Sequence, residues 1–230
     1  MDFELTKQQA AIQETARKFA QEELLPGVLE RDAKSEFPVE QYHKMGELGL
    51  VGLPYPTEVG GQGADYLSYV LAVEEISKVD ASMGIGYSVA TSLYGGSIMN
   101  STAPTEKKRE FLEDVLSGKS FGSFGLTEPN AGSDAGGCVT VAEKDGDEYV
   151  LNGLKCFNTN GPLADYTAVY ALTEPEKKAK GLSCFVVKKG TPGFSVGKIE
   201  DKMGIRSAQV SEMVLENVRV PAKNMIVESG

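Results

Sequence analysis

The sequence is short of the residues that most often hold metals or activate nucleophiles. One histidine, His43, stands among 230 residues, with three cysteines and no tryptophan. A histidine-rich metal centre is therefore excluded, and any Ser-His-Asp or Cys-His triad would have to use His43. That residue lies in Val39-Glu40-Gln41-Tyr42-His43-Lys44-Met45, where a solvated helix position is expected. Cys138, Cys156 and Cys184 are odd in number, widely spaced and without a C-x-x-C pair. They read as reduced, small apolar residues, not as a disulfide frame or zinc ligands. No apolar run approaches the ~18 residues of a membrane helix. The acidic start Met1-Asp2-Phe3-Glu4 lacks the basic and apolar regions of a secretory signal, so a cytoplasmic protein is expected. Neither G-x-x-x-x-G-K-[ST] nor a strand-borne G-x-G-x-x-G is present, which leaves P-loop and Rossmann chemistry without support. The net charge of −10 repels a nucleic-acid backbone or an anionic membrane, although a local basic patch can still hold an anionic ligand.

What is present is a globular composition, 41% hydrophobic and 24% charged, long enough for two domains. The hydrophobic period changes near residue 118. Before it the chain reads as helices. Thr6-Lys7-Gln8-Gln9 is a capping box, followed by Ile12, Ala16, Phe19 and Leu24 at helical steps until Pro26-Gly27. Pro38 and Gly49 bracket a second helix, and Asp65 can cap a third. Ser82 to Met99 carries Met83, Ile85, Val89, Leu93 and Ile98 among small residues with no charge; such a helix is buried all round or faces a cavity. A last helix runs from Thr105 to Ser117, stopped by Gly118. After it, Val139–Ala142, Glu148–Leu151, Tyr166–Leu172, Leu182–Val187 and Glu212–Val220 are β-prone runs. Turn signals at Asp145-Gly146-Asp147, Asn152-Gly153, Asn160-Gly161-Pro162 and Gly190-Thr191-Pro192-Gly193 separate them. The Lys-rich stretch 176–180 reads as a solvated hairpin tip. The expectation is an α+β multidomain chain: an all-α domain over residues 1–118, then an antiparallel β-barrel or sandwich over 119–230.

The most distinctive segment opens the second half: Phe124-Gly125-Leu126-Thr127-Glu128-Pro129-Asn130-Ala131-Gly132-Ser133-Asp134. It starts as an apolar strand and breaks at Glu128-Pro129 into a loop of small and polar residues. Such a loop can bring backbone amides against a flat heterocycle or a phosphate, or be an ordinary turn. This segment resembles the signature of the acyl-CoA dehydrogenase family, aromatic-x-hydrophobic-Thr-Glu-Pro-x-Ala-Gly-Ser-Asp. Leu48–Gly52 with Tyr55-Pro56 and Gly60-Gly61 is similar to the family's turn after its second helix. Leu151–Lys155 with Asn160-Gly161 is similar to its N-G-x-K-x-x-x-T-N-G hairpin, and Asp201–Arg206 and Val218–Pro221 to its closing strands. The resemblance spans essentially the whole chain, and the short-chain, butyryl-CoA branch is the most similar.

The resemblance implies bound FAD. Phe124, Gly125, Leu126 and Thr127 would run along the isoalloxazine, Phe157 would pack on the ring system, and the Thr159 hydroxyl would approach flavin N5. Ser133 would hydrogen-bond the CoA part of an acyl-CoA substrate. Asn158 departs from the family's usual aliphatic residue and, by strand alternation, turns to the face opposite Phe157 and Thr159. The 82–99 helix would border the acyl tail, with Leu93-Tyr94 limiting its depth. The implied reaction is α,β-dehydrogenation of the thioester, with electrons passed to an electron-transferring flavoprotein and a tetramer as the usual assembly. The implied glutamate base belongs to a C-terminal helical domain outside these residues, and Glu128 is expected to be structural. The chain is thus read as a truncated dehydrogenase, binding FAD weakly or not at all and inactive alone, with no catalytic residue of its own. The alternatives are an acyl-CoA oxidase or flavin monooxygenase of the same fold, or a non-catalytic acyl-CoA or partner-binding module.

Overall fold

The computed structural model describes residues 4–229. Met1, Asp2 and Phe3, on which the reading of the N-terminus partly rests, and Gly230 lie outside the described residues. No helix among the described residues is long and apolar enough to cross a membrane.

The helices begin where short polar side chains satisfy their free amides. Helix α1 (Lys7–Phe19) carries the capping box: Thr6 Oγ1 accepts from Gln9 N at 3.2 Å, and Gln9 Oε1 accepts from Thr6 N at 2.9 Å. The helix widens into a π-helical turn, Ala20–Leu24, before Pro26 and left-handed Gly27 break it. Two short helices follow, α2 (Val28–Lys34) and α3 (Val39–Glu47). Asp65 caps α4 (Tyr66–Val79) by accepting from Ser68 N at 2.7 Å. The charge-free stretch forms α5 (Ala81–Ser88), a π-helical turn over Val89–Gly95, and α6 (Gly96–Met99). Met83, Tyr87 and Tyr94 are fully buried while Leu93 keeps 44% of its surface, so one side packs and another faces outward. Helix α7 (Thr105–Leu116) ends at Gly118, whose φ of 72° suits glycine.

Among the described residues eight strands follow: β1 (Gly122–Gly125), β2 (Val141–Asp145), β3 (Glu148–Thr159), β4 (Tyr166–Leu172), β5 (Leu182–Lys188), β6 (Phe194–Ile199), β7 (Val210–Pro221) and β8 (Met225–Val227). They form one sheet in the order β6-β7-β3-β2-β4-β5-β8, with β1 added beside β4. The main core crosses from helices to sheet: Phe37, Tyr42 and Tyr94 belong to the same cluster as Phe121, Ala168, Cys184, Val186 and Ile226. A second cluster around Leu151, Val169, Phe185 and Val218 lies within the strands. The tip between β4 and β5 is exposed over Lys177–Lys180, as its charge requires.

Several local expectations are corrected. The sheet is mixed, because β1 runs parallel to β4 and β2 touches β4 in parallel. Asn152-Gly153 is no turn: β3 continues through it for 12 residues, with a register shift opposite β7 between Leu151 and Gly153. Asn152 bonds across the sheet to Asn217, and a Cβ on Gly153 would overlap the Thr140 side chain. Val139 and Thr140 stand outside β2, since their amides are taken by the Glu128 carboxylate. Asp201–Arg206 is an irregular loop, not a strand; Arg206 N donates to Asp32 Oδ1 at 2.7 Å and ties the loop to α2. Strands β6 and β8 were not anticipated. His43 is half-buried, not solvated: its Nδ1 lies 2.6 Å from Gly118 O and its ring meets Tyr42 and Phe121.

Candidate functional site

Strand β1 carries the signature out of the helical half and along β4, with Phe124 opposite Ala168 and Gly125 opposite Val169. Alternation sends its side chains to two sides. On one side Phe124, half-buried, meets the Tyr170 ring at 5.4 Å, and the Tyr170 hydroxyl donates to Ser97 Oγ at 3.2 Å. These residues, with Ser92, Leu93, Gly96, Asn100 and Val227, line an open cavity of about 270 Å³. Leu93 therefore borders it. Tyr94 does not: it is fully buried and donates to Phe111 O at 2.8 Å.

On the other side β1 lies against the end of β3. Ser123 Oγ donates to Thr159 O at 2.8 Å, and Cys156 N donates to Thr127 O at 2.8 Å. A Cβ on Gly125 would sit 3.2 Å from Asn158 Oδ1 and 3.4 Å from Lys155 Cγ, so the close approach of the two segments favours glycine there. The structure thus brings the stretch 123–127 beside 155–159. Leu126, Thr127 and Thr159 are half-buried. Phe157 is 66% exposed, with a left-handed φ of 56°, at a register shift between β3 and β7. A bulky residue in that region costs of order 1–3 kcal/mol and persists only where its surroundings enforce it. Asn158 is buried, its amide donating to Ser211 O at 2.9 Å. Its side chain is turned inward, away from the exposed Phe157.

Ser133 is not part of this pairing. Beyond Glu128 the chain makes a tight turn in which Glu128 and Ala131 exchange backbone bonds of 3.0 and 3.1 Å, and Gly132, Ser133 and Asp134 are exposed. The following turn packs toward the β4–β5 tip: a Cβ on Gly136 would lie 3.1 Å from that of Ala179.

Sequence reasoning missed the group that anchors the signature. Lys155 Nζ and Glu128 Oε1 form an ion pair of 2.6 Å with side chains 0% and 1% exposed. Cys138 Sγ donates to the same oxygen at 2.8 Å. Burial pushes the Glu128 carboxyl up, but bonds from Cys138, Lys155, Thr140 and the Val139 amide outweigh it and hold the group down at about 2. Burial, then Glu128, pushes the Cys138 thiol up to about 11, so it stays a donor. Three residues 10 to 27 positions apart in sequence carry no periodic signal; only the register of β3 against the signature joins them. Among the described residues no group of three or more His, Cys, Asp and Glu could hold a metal ion.

Comparison with known proteins gives the family. The family model of the acyl-CoA dehydrogenase N-terminal domain matches residues 6–119, and that of the middle domain matches residues 123–218. A short-chain specific acyl-CoA dehydrogenase of Clostridium acetobutylicum is 45% identical over 230 residues, 100% of this chain and 60% of its own length. A chain in a solved structure of the electron transferring flavoprotein of Acidaminococcus fermentans superposes with a TM-score of 0.97 at 44% identity, over 100% of this chain and 60% of that one. A glutaryl-CoA dehydrogenase from Mycobacterium smegmatis, solved in complex with FADH2, superposes with a TM-score of 0.90 at 35% identity, over 97% and 56%. The chain therefore spans about 60% of the length of the Clostridium enzyme and of the Acidaminococcus chain. With the signature, its strand-to-loop geometry and both domain models in agreement, the chain belongs to the acyl-CoA dehydrogenase family.

Proposed function

We propose that the edge formed by Phe124–Thr127 and Phe157–Thr159 seats the isoalloxazine of FAD within a short-chain acyl-CoA dehydrogenase. One observation carries this reading: two segments about thirty residues apart in sequence lie side by side, bonded through Ser123 and Cys156, with an exposed Phe157 beside them. The residues present fit the group. An exposed aromatic ring held in strained backbone is what a flat heterocycle needs for packing, and Thr127 and Thr159 supply hydroxyl donors close by.

When bound, FAD supplies the hydride acceptor for an α,β-dehydrogenation. The residues of this chain bind, orient and shield. Phe157 covers a ring face and excludes water from it. The Leu126–Thr127 backbone and the two threonine hydroxyls place donors where a heterocycle edge carries acceptors. Phe124 and Leu93 give the cavity of about 270 Å³ an apolar lining suited to a short acyl chain. Ser133, on its exposed loop, is the hydroxyl available to the CoA portion. Glu128 is not the base that removes the α-proton, because both its oxygens are occupied and its carboxyl is held at about 2. Among the described residues no Asp or Glu lines that cavity or stands within 124–127 or 157–159, so these 230 residues alone are expected not to turn over acyl-CoA. The short-chain relative supports an acyl-CoA substrate, and the electron transferring flavoprotein structure supports that protein as electron acceptor.

Titration of the chain with FAD, followed by flavin fluorescence, tests the seat. Binding is expected to be weak, and Phe157→Ala should weaken it about tenfold, the loss of one aromatic contact, without lowering the melting temperature. Equal affinities for the parent chain and Phe157→Ala would sink the reading.

A further inference from the structure

We propose that the buried Lys155–Glu128 pair, completed by Cys138, positions the Leu126–Thr127 peptide and thereby sets the register of the flavin-facing edge. The inference rests on the flavin reading above and assigns a role to residues that contribute nothing to the exposed face. A lysine ammonium has three N–H donors, and all three are used. They reach Glu128 Oε1 at 2.6 Å, Leu126 O at 3.2 Å and Cys138 Sγ at 3.4 Å. Glu128 is filled as completely: Oε1 also accepts from Cys138 Sγ at 2.8 Å and Thr140 N at 3.0 Å, and Oε2 accepts from Val139 N at 2.7 Å.

The bond to Leu126 O separates positioning from mere stability. In a trans peptide the carbonyl of one residue and the N–H of the next point in opposite directions. With Leu126 O drawn toward Lys155, the Thr127 N–H is aimed away from the buried cluster. Thr127 O is then fixed in turn by Cys156 N at 2.8 Å, on the residue following Lys155. Residues 126, 127 and 128 are therefore each held from β3, through Lys155 or its neighbour. Satisfying the ion pair alone would require no contact with Leu126. Lys155, Glu128 and Cys138 are thus positioning residues, acting through the peptide they hold.

The test is the double substitution Lys155→Met with Glu128→Gln, which keeps the interior neutral and close in volume. Two measurements are made on the chain: amide hydrogen exchange of the peptide covering residues 124–128, and FAD titration with the visible absorption spectrum of the bound flavin. Exchange over 124–128 should quicken about tenfold while the β4–β5 hairpin is unchanged. FAD affinity should fall about tenfold, with an altered absorption band. Unchanged exchange at 124–128 overturns the proposal, and so does faster exchange with parental FAD affinity and spectrum. A parent chain that takes up no FAD sinks the flavin reading instead, and exchange alone then decides whether the pair positions the peptide. Should the double variant fail to fold, Cys138→Ala is measured in the same way. It must show smaller changes confined to the same peptide, and parental behaviour overturns the proposal.

Discussion

Tyr55, Tyr87 and Tyr94 in the helical half and Lys155 in the sheet half are all buried, yet their polar atoms are satisfied by opposite means. The tyrosine hydroxyls donate to Thr91 O, Leu50 O and Phe111 O at 2.6 to 2.8 Å. These are neutral bonds that tie one helical segment to the next. Lys155 instead meets a carboxylate, a thiol and a carbonyl. Burying a neutral hydroxyl costs little once it has one acceptor, whereas burying two charges is tolerable only when every donor and lone pair is engaged. The helical half buries carboxylates too, Glu75 and Asp80, but their arginine and lysine partners keep 16% to 53% of their side-chain surface, whereas both side chains of the Lys155–Glu128 pair, beside the candidate site, are buried.

The largest expected effect breaks that fully buried pair. Lys155→Met alone leaves Glu128 charged and unpaired in the interior, and should cost about 3–5 kcal/mol in urea denaturation. A loss no larger than that of a buried tyrosine hydroxyl would erase the distinction between the halves. Acid should act next, on the buried carboxylates and not on the tyrosines; in the helical half Arg17 and Lys78 likewise hold the Glu75 carboxyl below its usual value. The Glu128 carboxyl is held at about 2 against an ordinary value of 4.5. Its folded-state value is depressed, so its contribution is fully present above pH 4.5 and is lost as pH falls from there toward 2. Melting followed against pH should show this slope, and Glu128→Gln should flatten it. The tyrosine bonds should not respond over that range, because burial drives the Tyr87 and Tyr94 hydroxyls well above their usual value and keeps them neutral.

Tyr94→Phe removes one donor and leaves Phe111 O without it, an expected loss of about 1–3 kcal/mol by the same denaturation measurement. The smallest effect belongs to a surface cap shared by neither buried system. Thr6→Ala should cost about 1 kcal/mol, read as a shift in urea midpoint with unchanged slope. If it exceeded Tyr94→Phe, local capping rather than buried bonding would dominate the helical half.

Much of the helical half was legible because its signals are local. The Thr6–Gln9 box, the Asp65 cap and the stop at Gly118 each act within a few residues of the groups they satisfy. The π-helical turns at Ala20–Leu24 and Val89–Gly95 were not, since an i to i+5 bond leaves no separate sequence period. In the sheet half, Tyr166–Leu172 was legible from its β-prone residues between turn signals. Asn152-Gly153 misled because the same dipeptide serves a turn or a mid-strand register shift, and only the approach of Thr140 and Asn217 selects the second. At the candidate site, Phe124 through Thr127 and Phe157 through Thr159 could be picked out by their resemblance to a family signature. Strand alternation already turned Asn158 away from Phe157; that it reaches Ser211, and that Ser133 stands apart on an exposed loop, depended on strand pairing.

The sequence by itself determined that helices precede strands, where most of them start and stop, and which segment is chemically distinctive. Propensity, capping and turn chemistry operate over a few residues, and those distances are written along the chain. Only the tertiary structure decided that Lys155 reaches Glu128, Cys138 and Leu126, that Phe157 is held exposed in left-handed backbone, and that Phe124 opens onto the helices. Each of these depends on the register between segments far apart in sequence, where a shift of one residue would turn every side chain to the other face.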